Sequence, residues 1–174
     1  MIEEVILVDE KDMEIGSMEK MKAHEESKLH RAFSVFLFNE RGEMLIHQRA
    51  LEKYHSGGLW TNACCSHPRP GENTKSAAER RLYEELRIQC QINEVYSFIY
   101  KAKLDKGLTE HEFDHVFFGR FNDELNPNPK EVLDWKYISI QDLNHEINHS
   151  PEQYTEWFKI ALQGLEAQKI ALKA

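Results

Sequence analysis

The residues best suited to chemistry in this chain are a thiol and an imidazole two positions apart. Cys65 and His67 lie in the segment Trp60–Pro68, a short apolar run that ends at a proline. A thiol can donate or remove a proton, and an imidazole can hold a metal ion beside it. A free cysteine is usually a small buried residue, so a structural role is the default for Cys65. A metal ion on His67 would favour a reactive Cys65 instead, because a nearby positive charge lowers the pKa of a thiol. Cys64 should face the core and Cys90 should be structural.

Other histidines and carboxylates could complete a metal site around His67. His24 and His30 lie close in sequence, and in an extended segment Glu110 and Glu112 project from the same face. Imidazole favours zinc or iron and carboxylate favours harder ions such as manganese, so this set suits a divalent transition metal. The spacing alone leaves open a second interpretation, in which the nine histidines are scattered over a polar surface.

A third group of residues has the character of an anion site. Arg81 and Glu85 share one stripe of a predicted helix, where they form either a surface ion pair or a diphosphate contact beside a magnesium ligand. Basic residues from other segments could complete a diphosphate pocket, namely Lys20, Arg49 and Lys53. Tyr100 and Trp157 are core residues by default, but a tyrosine hydroxyl can relay a proton and an indole face can stabilise a cation.

Periodicity predicts an α+β fold, with a mixed β-sheet core flanked by α-helices. The length of 174 residues suits one domain over residues 1–174, with a core at about 28–165 and an N-terminal segment, 1–27, that adds a strand and site residues. Predicted strands cover Val5–Val8, Ala32–Phe38, Met44–Arg49, Trp60–Cys65, Ile88–Tyr100, His115–Phe121 and Trp135–Ile140. Predicted helices cover Ser17–Glu26, Lys75–Leu86, Asp142–Asn148 and Glu152–Leu165. The two runs before and after Asn39–Gly42 should form a hairpin.

Bulk properties narrow the class of protein. A net charge of −8 disfavours a nucleic-acid surface, and no apolar run approaches the roughly 18–20 residues that span a bilayer. The acidic start of the chain lacks the charge pattern of a signal peptide. Three cysteines, two of them adjacent, make a poor disulfide framework. These features predict a reduced, cytoplasmic protein without a nucleic-acid or membrane partner.

The candidate residues lie in motifs that resemble a known family. From about Lys20 to Trp157 the chain is similar to type 1 isopentenyl-diphosphate isomerases, which belong to the Nudix-fold superfamily. The matching segments are Leu29–Ser34, Gln48–Ala50, Trp60–Pro68, Arg80–Leu86 and Glu110–Glu112. The resemblance implies a single Nudix-like isomerase domain and a monomer.

A divergent Nudix box supports this resemblance. In the box pattern, Ser66 stands for the first glycine, Arg81 for the first glutamate of the core and Arg87 for the last glycine. Nudix hydrolases use several of these carboxylates to hold metals. An arginine in place of one of them weakens a hydrolase interpretation and favours an anion contact by Arg81.

The resemblance also implies a role for each candidate. Cys65 matches the catalytic thiol, Glu112 the catalytic carboxylate, Tyr100 the tyrosine that hydrogen-bonds the acidic partner, and Trp157 the indole that faces the cationic intermediate. Glu85 matches the carboxylate that binds Mg²⁺ with the diphosphate. The implied ligands of one Zn²⁺ or Mn²⁺ are His24, His30, His67, Glu110 and Glu112. The implied diphosphate contacts are Lys20, Arg49, Lys53 and Arg81.

The implied reaction is the reversible 1,3-proton shift between isopentenyl diphosphate and dimethylallyl diphosphate. Protonating the alkene gives a tertiary carbocation, so two acid–base groups must lie on opposite faces of a small, dry site. We expect the Glu112–Tyr100 side to protonate the alkene and Cys65 to remove the proton, although the sequence leaves the reverse order open. Two alternatives are a Nudix hydrolase of a nucleoside diphosphate derivative and a metal-binding module without catalysis.

Overall fold

A computed structural model describes residues 3–172, and over that range the fold is built on one mixed sheet of nine strands. The strands are β1 (Glu4–Val8), β2 (Glu14–Glu19), β3 (His30–Phe38), β4 (Met44–Arg49), β5 (Trp60–Asn62), β6 (Cys64–Ser66), β7 (Ile92–Lys103), β8 (Thr109–Arg120) and β9 (Val132–Ile138). The helices are α1 (Lys20–Glu25), α2 (Thr74–Leu86), α3 (Ile140–His149) and α4 (Glu156–Ala167). Within the described range, none of the helices is long and apolar enough to cross a membrane.

Strand β3 lies at the centre of the sheet. It runs parallel to β8 over nine residue pairs, from His30 opposite Glu112 to Phe38 opposite Arg120. On its other side it pairs antiparallel with β6. All but one of its residues are buried, as expected of a strand that is covered on both faces.

Helices cover both faces of β3, and its side chains alternate between them. Phe36 and Phe38 pack in a cluster with Phe158 and other residues of α4. The intervening residues, such as Val35, pack in a second cluster with Leu82 and other residues of α2. The predicted α+β class, a mixed sheet flanked by helices, is confirmed. The hairpin of β3 and β4 is also confirmed, with Leu37 opposite Leu45 and Phe38 opposite Met44.

The predicted helix Ser17–Glu26 is wrong over its first three residues. Ser17–Glu19 ends strand β2, which pairs antiparallel with β1. Helix α1 begins only at Lys20, because the Glu19 carboxylate accepts hydrogen bonds from the next free backbone N–H groups, at Met21 and Lys22. Tertiary pairing with β1 therefore outweighs the helical propensity of this segment.

The predicted strand Trp60–Cys65 is also interrupted. Trp60–Asn62 pairs with β4, whereas Cys64–Ser66 pairs with β3, so the chain changes partners at Ala63. The Asn62 side-chain amide bridges this change, donating to the backbone oxygens of Val35 and Cys64, each at 3.0 Å. The interruption places Asn62 next to Cys65.

Several element boundaries differ from the predictions by a few residues. β7 begins at Ile92 rather than Ile88, and β8 begins at Thr109, six residues before the predicted start, so that it contains both site glutamates. Helix α4 begins at Glu156 because Pro151–Gln153 forms a separate 3-10 turn. Further differences include a β3 that begins at His30 rather than Ala32, a β9 of Val132–Ile138 and an α3 that begins at Ile140.

Arg87 provides a test of how α2 ends. This residue has a φ of 61°, in the left-handed region, and its backbone N–H closes the helix on Leu82 and Tyr83. Glycine is the usual residue at such a position because a Cβ is strained there. We expect Arg87→Gly to raise the free energy of unfolding by about 1 kcal/mol, measured by urea denaturation. Arg87→Ala removes the same side chain but keeps the Cβ, so equal stability of the two variants would contradict this account.

Candidate active site

One cavity brings together most of the predicted site residues from segments that are distant in sequence. The predicted residues that line it are Lys20, Arg49, Lys53, Cys65, His67, Arg81, Glu85, Tyr100, Glu110, Glu112 and Trp157. His24 and His30 are fully buried beside His67, with ring centroids 5.5 and 4.9 Å from its own. The structure therefore places all the predicted site residues in one region.

The three predicted histidine ligands form a buried cluster, and a backbone contact fixes the tautomer of two of them. His24 Nδ1 donates to the Lys20 carbonyl at 2.7 Å, and His30 Nδ1 donates to the Lys28 carbonyl at 2.8 Å. In the neutral form of either ring, Nε2 then carries the lone pair. His30 Nε2 lies 3.2 Å from His67 Nε2, and His24 Nε2 has no hydrogen-bond partner among the described residues. Burial holds the pKa of His67 at about 3, so this ring is neutral.

Glu112 completes this cluster. Its Oε1 lies 2.9 Å from His67 Nε2 and 3.6 Å from His30 Nε2. Burial would raise its pKa, but the neighbouring His30 and His67 imidazoles outweigh that effect and lower the pKa well below its usual range. Glu112 is therefore a carboxylate in a buried site, which requires a compensating positive charge.

The cluster fits a divalent metal ion. The ligand atoms of His24, His30, His67 and Glu112 lie within 4.8 Å of one another, and all four residues are buried. Converging lone pairs, one of them on the orphaned His24 Nε2, are costly without a cation among them. Neutral imidazoles with one carboxylate are ligands typical of zinc and related ions.

Glu110 groups differently from the prediction. Its ligand atom clusters with those of His24 and His55 rather than with His30, His67 and Glu112. His55 is a buried residue of the loop between β4 and β5 that sequence reasoning did not identify, because no motif or periodicity marks it. The predicted five-ligand set is thus divided in this structure into a group of four and a second group that shares His24.

Tyr100 connects the two glutamates. Its hydroxyl lies 2.6 Å from Glu112 Oε2 and 3.0 Å from Glu110 Oε2. Burial and the neighbouring Glu112 raise the pKa of Glu110 well above its usual range. A hydroxyl has one proton and can donate it fully to one carboxylate, so a proton on Glu110 would satisfy the other contact. This trio can therefore store and transfer a proton.

Cys65 is surrounded by hydrogen-bond acceptors. Its Sγ lies 3.2 Å from Ser34 Oγ and 3.1 Å from Asn62 Oδ1. Ser34 already donates to Asp114 Oδ2 at 2.7 Å, and the Asn62 amide donates to backbone oxygens. Both neighbours thus offer an acceptor, and the single thiol proton is donated to Asn62 Oδ1. Burial, with a contribution from Asp114, raises the pKa of Cys65 well above its usual range, so the ligand-free protein holds a neutral thiol.

Ser34, Asn62 and Asp114 were missed as neighbours of Cys65, although one signal was present. Asp114 follows Glu112 by two residues and so shares its face of β8. Burial, together with the charge of Glu112, raises the pKa of Asp114 to about 8. Cys64, by contrast, is fully buried in the second hydrophobic cluster, the one that contains Leu82 of α2 and is called here the α2-side cluster. The sequence predicted this core position.

Cys65 and Glu112 belong to two strands that pair with opposite edges of β3. Cys65 belongs to β6, where it lies opposite Ser34, and Glu112 belongs to β8, where it lies opposite His30. Trp157 forms another part of the cavity wall. Its indole Nε1 donates to Thr61 Oγ1 at 3.0 Å, and the Arg49 guanidinium carbon lies 5.0 Å from its ring centroid.

The four predicted diphosphate contacts also line the cavity, and each has a local partner. Arg81 pairs with Glu85 at 2.6 Å, Lys53 pairs with Glu131, and Lys20 pairs with Glu3 at 3.2 Å. The remaining contact, Arg49, donates to a backbone oxygen. The Nε atoms of both arginines are buried without a partner in the described part of the chain. Unused donors beside a carboxylate, Glu85, suit an anion that arrives with a metal ion.

Comparisons with known proteins identify the family of this chain. Residues 28–158 match the family model of the NUDIX domain. A protein of Pectobacterium atrosepticum named isopentenyl-diphosphate Delta-isomerase is 52% identical over 140 residues, which cover 80% of this chain and 78% of that protein. A second relative, from Aromatoleum aromaticum and named isopentenyl-diphosphate Delta-isomerase 2, is 49% identical over 82% of this chain and 76% of its own length.

Solved structures of low sequence identity share the fold. A protein of Deinococcus radiodurans superimposes with a TM-score of 0.71 at 19% identity, over 84% of this chain and 90% of its own. A MutT protein of Methanosarcina mazei superimposes with a TM-score of 0.66 at 16% identity, over 82% and 96%. Taken with the family model and the curated relatives, the chain belongs to the type 1 isopentenyl-diphosphate Delta-isomerases, enzymes of the Nudix superfamily.

Proposed function

We propose that this enzyme interconverts isopentenyl diphosphate and dimethylallyl diphosphate by protonation and deprotonation through a tertiary carbocation. The observation that carries the proposal is the pair of acid–base groups in one cavity, Cys65 and Glu112, contributed by strands on opposite sides of β3. An allylic proton shift needs one group on each face of a flat three-carbon unit, held in a dry site.

The Glu112 side supplies the proton to the alkene in this proposal. Tyr100 contacts both Glu112 and Glu110, so a proton stored on the glutamate pair can reach the cavity through one hydroxyl. All three residues are buried. Away from water, a strong proton donor does not lose its proton to the solvent. Protonation of an unactivated alkene requires such a donor.

Cys65 then removes a proton from the opposite face. The ligand-free protein favours a thiol at Cys65 and a carboxylate at Glu112. In the proposed order, one turnover towards dimethylallyl diphosphate ends with this thiol and this carboxylate. The reverse reaction starts from the same protonation states. Before the next forward turnover, a proton must therefore pass from Cys65 to the Glu112 side.

The aromatic and charged walls position the substrate. The Trp157 ring, fixed by its hydrogen bond to Thr61, presents a π face that stabilises a carbocation. Arg49, Lys53, Arg81 and Lys20 bind the diphosphate, and this remote binding energy orients the alkene. His24, His30, His67 and Glu112 would hold Zn²⁺ or Mn²⁺, which would supply the positive charge that compensates the glutamate. Glu85 would hold the Mg²⁺ that compensates the charge of the diphosphate.

Incubation with isopentenyl diphosphate in heavy water tests the reaction directly. Deuterium that enters the five-carbon skeleton, detected by mass spectrometry, supports an isomerase. Release of phosphate from a nucleoside diphosphate derivative without deuterium incorporation would favour a Nudix hydrolase. Neither outcome, in protein loaded with metal, would favour a binding module.

The assigned acid–base pair predicts the effect of two substitutions. Cys65→Ala and Glu112→Gln should each lower the turnover number on the order of 10²- to 10⁴-fold, because each removes one proton-transfer group. Circular dichroism should show that both variants fold. Cys90→Ala is the matched control, since Cys90 lies away from the cavity among residues that pack against the α2-side cluster. Near-normal turnover in either site variant would contradict the assignment.

Metal removal should abolish activity. Chelation empties the imidazole cluster and leaves Glu112 without a compensating charge, so turnover should fall to background. Zn²⁺ or Mn²⁺ added together with Mg²⁺ should restore turnover, whereas Mg²⁺ alone should not, because Mg²⁺ binds imidazole poorly. Full activity in metal-stripped protein, verified by elemental analysis, would rule out a functional metal at this site.

A further inference from the structure

Two neighbouring polar residues of β5, Thr61 and Asn62, connect the proposed base to the aromatic wall of the cavity. Both side chains are fully buried. A buried polar side chain is costly unless its donors and acceptors are paired. The hydrogen bonds of these two residues therefore show which side chains they hold in place.

The Asn62 carboxamide has no unused hydrogen-bonding group. Its nitrogen donates to the backbone oxygens of Val35 and Cys64, each at 3.0 Å. Its oxygen accepts from Thr61 Oγ1 at 3.0 Å and from Cys65 Sγ at 3.1 Å. Two donors and two acceptor lone pairs are all that a carboxamide possesses. Because backbone oxygens only accept, the amide nitrogen must face them and the amide oxygen must face the thiol.

This orientation of the amide fixes the direction of the next two hydrogen bonds. The amide oxygen can only accept, so the Thr61 hydroxyl donates its single proton to Asn62. Thr61 Oγ1 is left with lone pairs, and it accepts from the indole Nε1 of Trp157 at 3.0 Å. An indole N–H can only donate. The chain from Trp157 through Thr61 to Asn62 therefore has a single possible direction.

Both ends of this chain take part in the proposed reaction. Trp157 belongs to α4 and presents the π face, whereas Cys65 belongs to β6 and carries the base. Thr61 is β-branched, so its χ1 angle is restricted and its hydroxyl cannot turn away readily. The positions of the indole and of the thiol are thus both set from one short buried strand.

We propose that Thr61 and Asn62 are positioning residues that hold the Trp157 indole and the Cys65 thiol in a fixed relation around the alkene. This inference rests on the proposed function and adds two residues to it. Cys65 and Trp157 line the cavity, whereas Thr61 and Asn62 lie behind them and act through them. A misplacement of about 1 Å can lower a rate roughly 10²-fold. Because Thr61 bonds to both the indole and the amide, its hydroxyl is the link on which both ends depend.

Removing only this hydroxyl tests the inference. Thr61→Val keeps the shape of the side chain but leaves Trp157 Nε1 without its acceptor and Asn62 Oδ1 without one of its two donors. In metal-loaded protein, kcat for isopentenyl diphosphate should fall on the order of 10- to 100-fold. KM should change little, because other residues contact the diphosphate. A loss in kcat at constant KM marks an interaction that acts in the transition state.

Two matched variants separate positioning from a general loss of stability. Thr61→Ser keeps the hydroxyl and should keep kcat near the native value. Thr155→Val removes another hydrogen bond to the same oxygen, since Thr155 Oγ1 donates to Thr61 Oγ1 at 3.0 Å. This variant leaves the bonds to Trp157 and Asn62 intact, so its kcat should also stay near the native value. Equal losses of kcat in Thr61→Val and in either matched variant would overturn the inference.

The NMR signal of the Trp157 indole gives an independent measurement. In protein labelled with nitrogen-15, the Nε1–H signal of Trp157 is assigned by its absence in Trp157→Phe. In Thr61→Val this signal should move upfield, because the N–H has lost its acceptor, and in Thr61→Ser it should stay in place. An unmoved signal in Thr61→Val would count against the inference and overturn it. Thr61→Ala replaces the valine variant in both measurements if that variant does not fold.

Failure of this inference is distinguishable from failure of the proposed function. If the native protein incorporates no deuterium from heavy water into isopentenyl diphosphate, the proposed function and the inference are both wrong. If the native protein is active and Thr61→Val turns over at the same rate, only the inference is overturned. A loss of kcat in Thr61→Val that Thr61→Ser and Thr155→Val do not share supports it.

Discussion

The parallel pairing of β3 with β8 is the constraint on which the site depends. Its register sets His30 opposite Glu112, and so brings a histidine from the N-terminal third of the chain to a carboxylate more than eighty residues later. β6, on the other edge of β3, brings Cys65 opposite Ser34. One central strand therefore aligns the thiol, the imidazole cluster and the carboxylates. A slip of the β3–β8 register by one residue would turn Glu112 to the other face of the sheet.

Burial of charge explains why the cluster has its composition. Glu110, Glu112 and Asp114 alternate along one face of β8, and all three are buried. Three ionised carboxylates at that spacing would repel one another strongly in a medium of low polarity. The structure meets this problem in different ways, with raised pKa values at Glu110 and Asp114 and a cluster of imidazoles at Glu112. The same arrangement provides groups that can hold protons and a group that can hold a cation.

Sequence reasoning found the chemistry more readily than its local geometry. The helical stripe that contains Leu82 was evident because packing on one face repeats every 3.6 residues. Cys65 and Glu112 were identified through motifs that resemble a family. Ser17–Glu19 was assigned wrongly because pairing with β1 is a long-range contact that propensity does not contain. His55 was missed because it lies in a loop, where position depends on tertiary packing rather than periodicity.

A chain of hydrogen bonds joins the last helix to the thiol. Trp157 donates to Thr61, Thr61 donates to Asn62, and Asn62 accepts from Cys65. Yet the clustered imidazoles and Glu112 all precede residue 113. During synthesis on the ribosome, the nascent polypeptide therefore carries the whole imidazole cluster and Glu112 well before α4 has emerged. The indole wall of Trp157 is added last, which makes closure of the cavity a late event in the synthesis of the molecule.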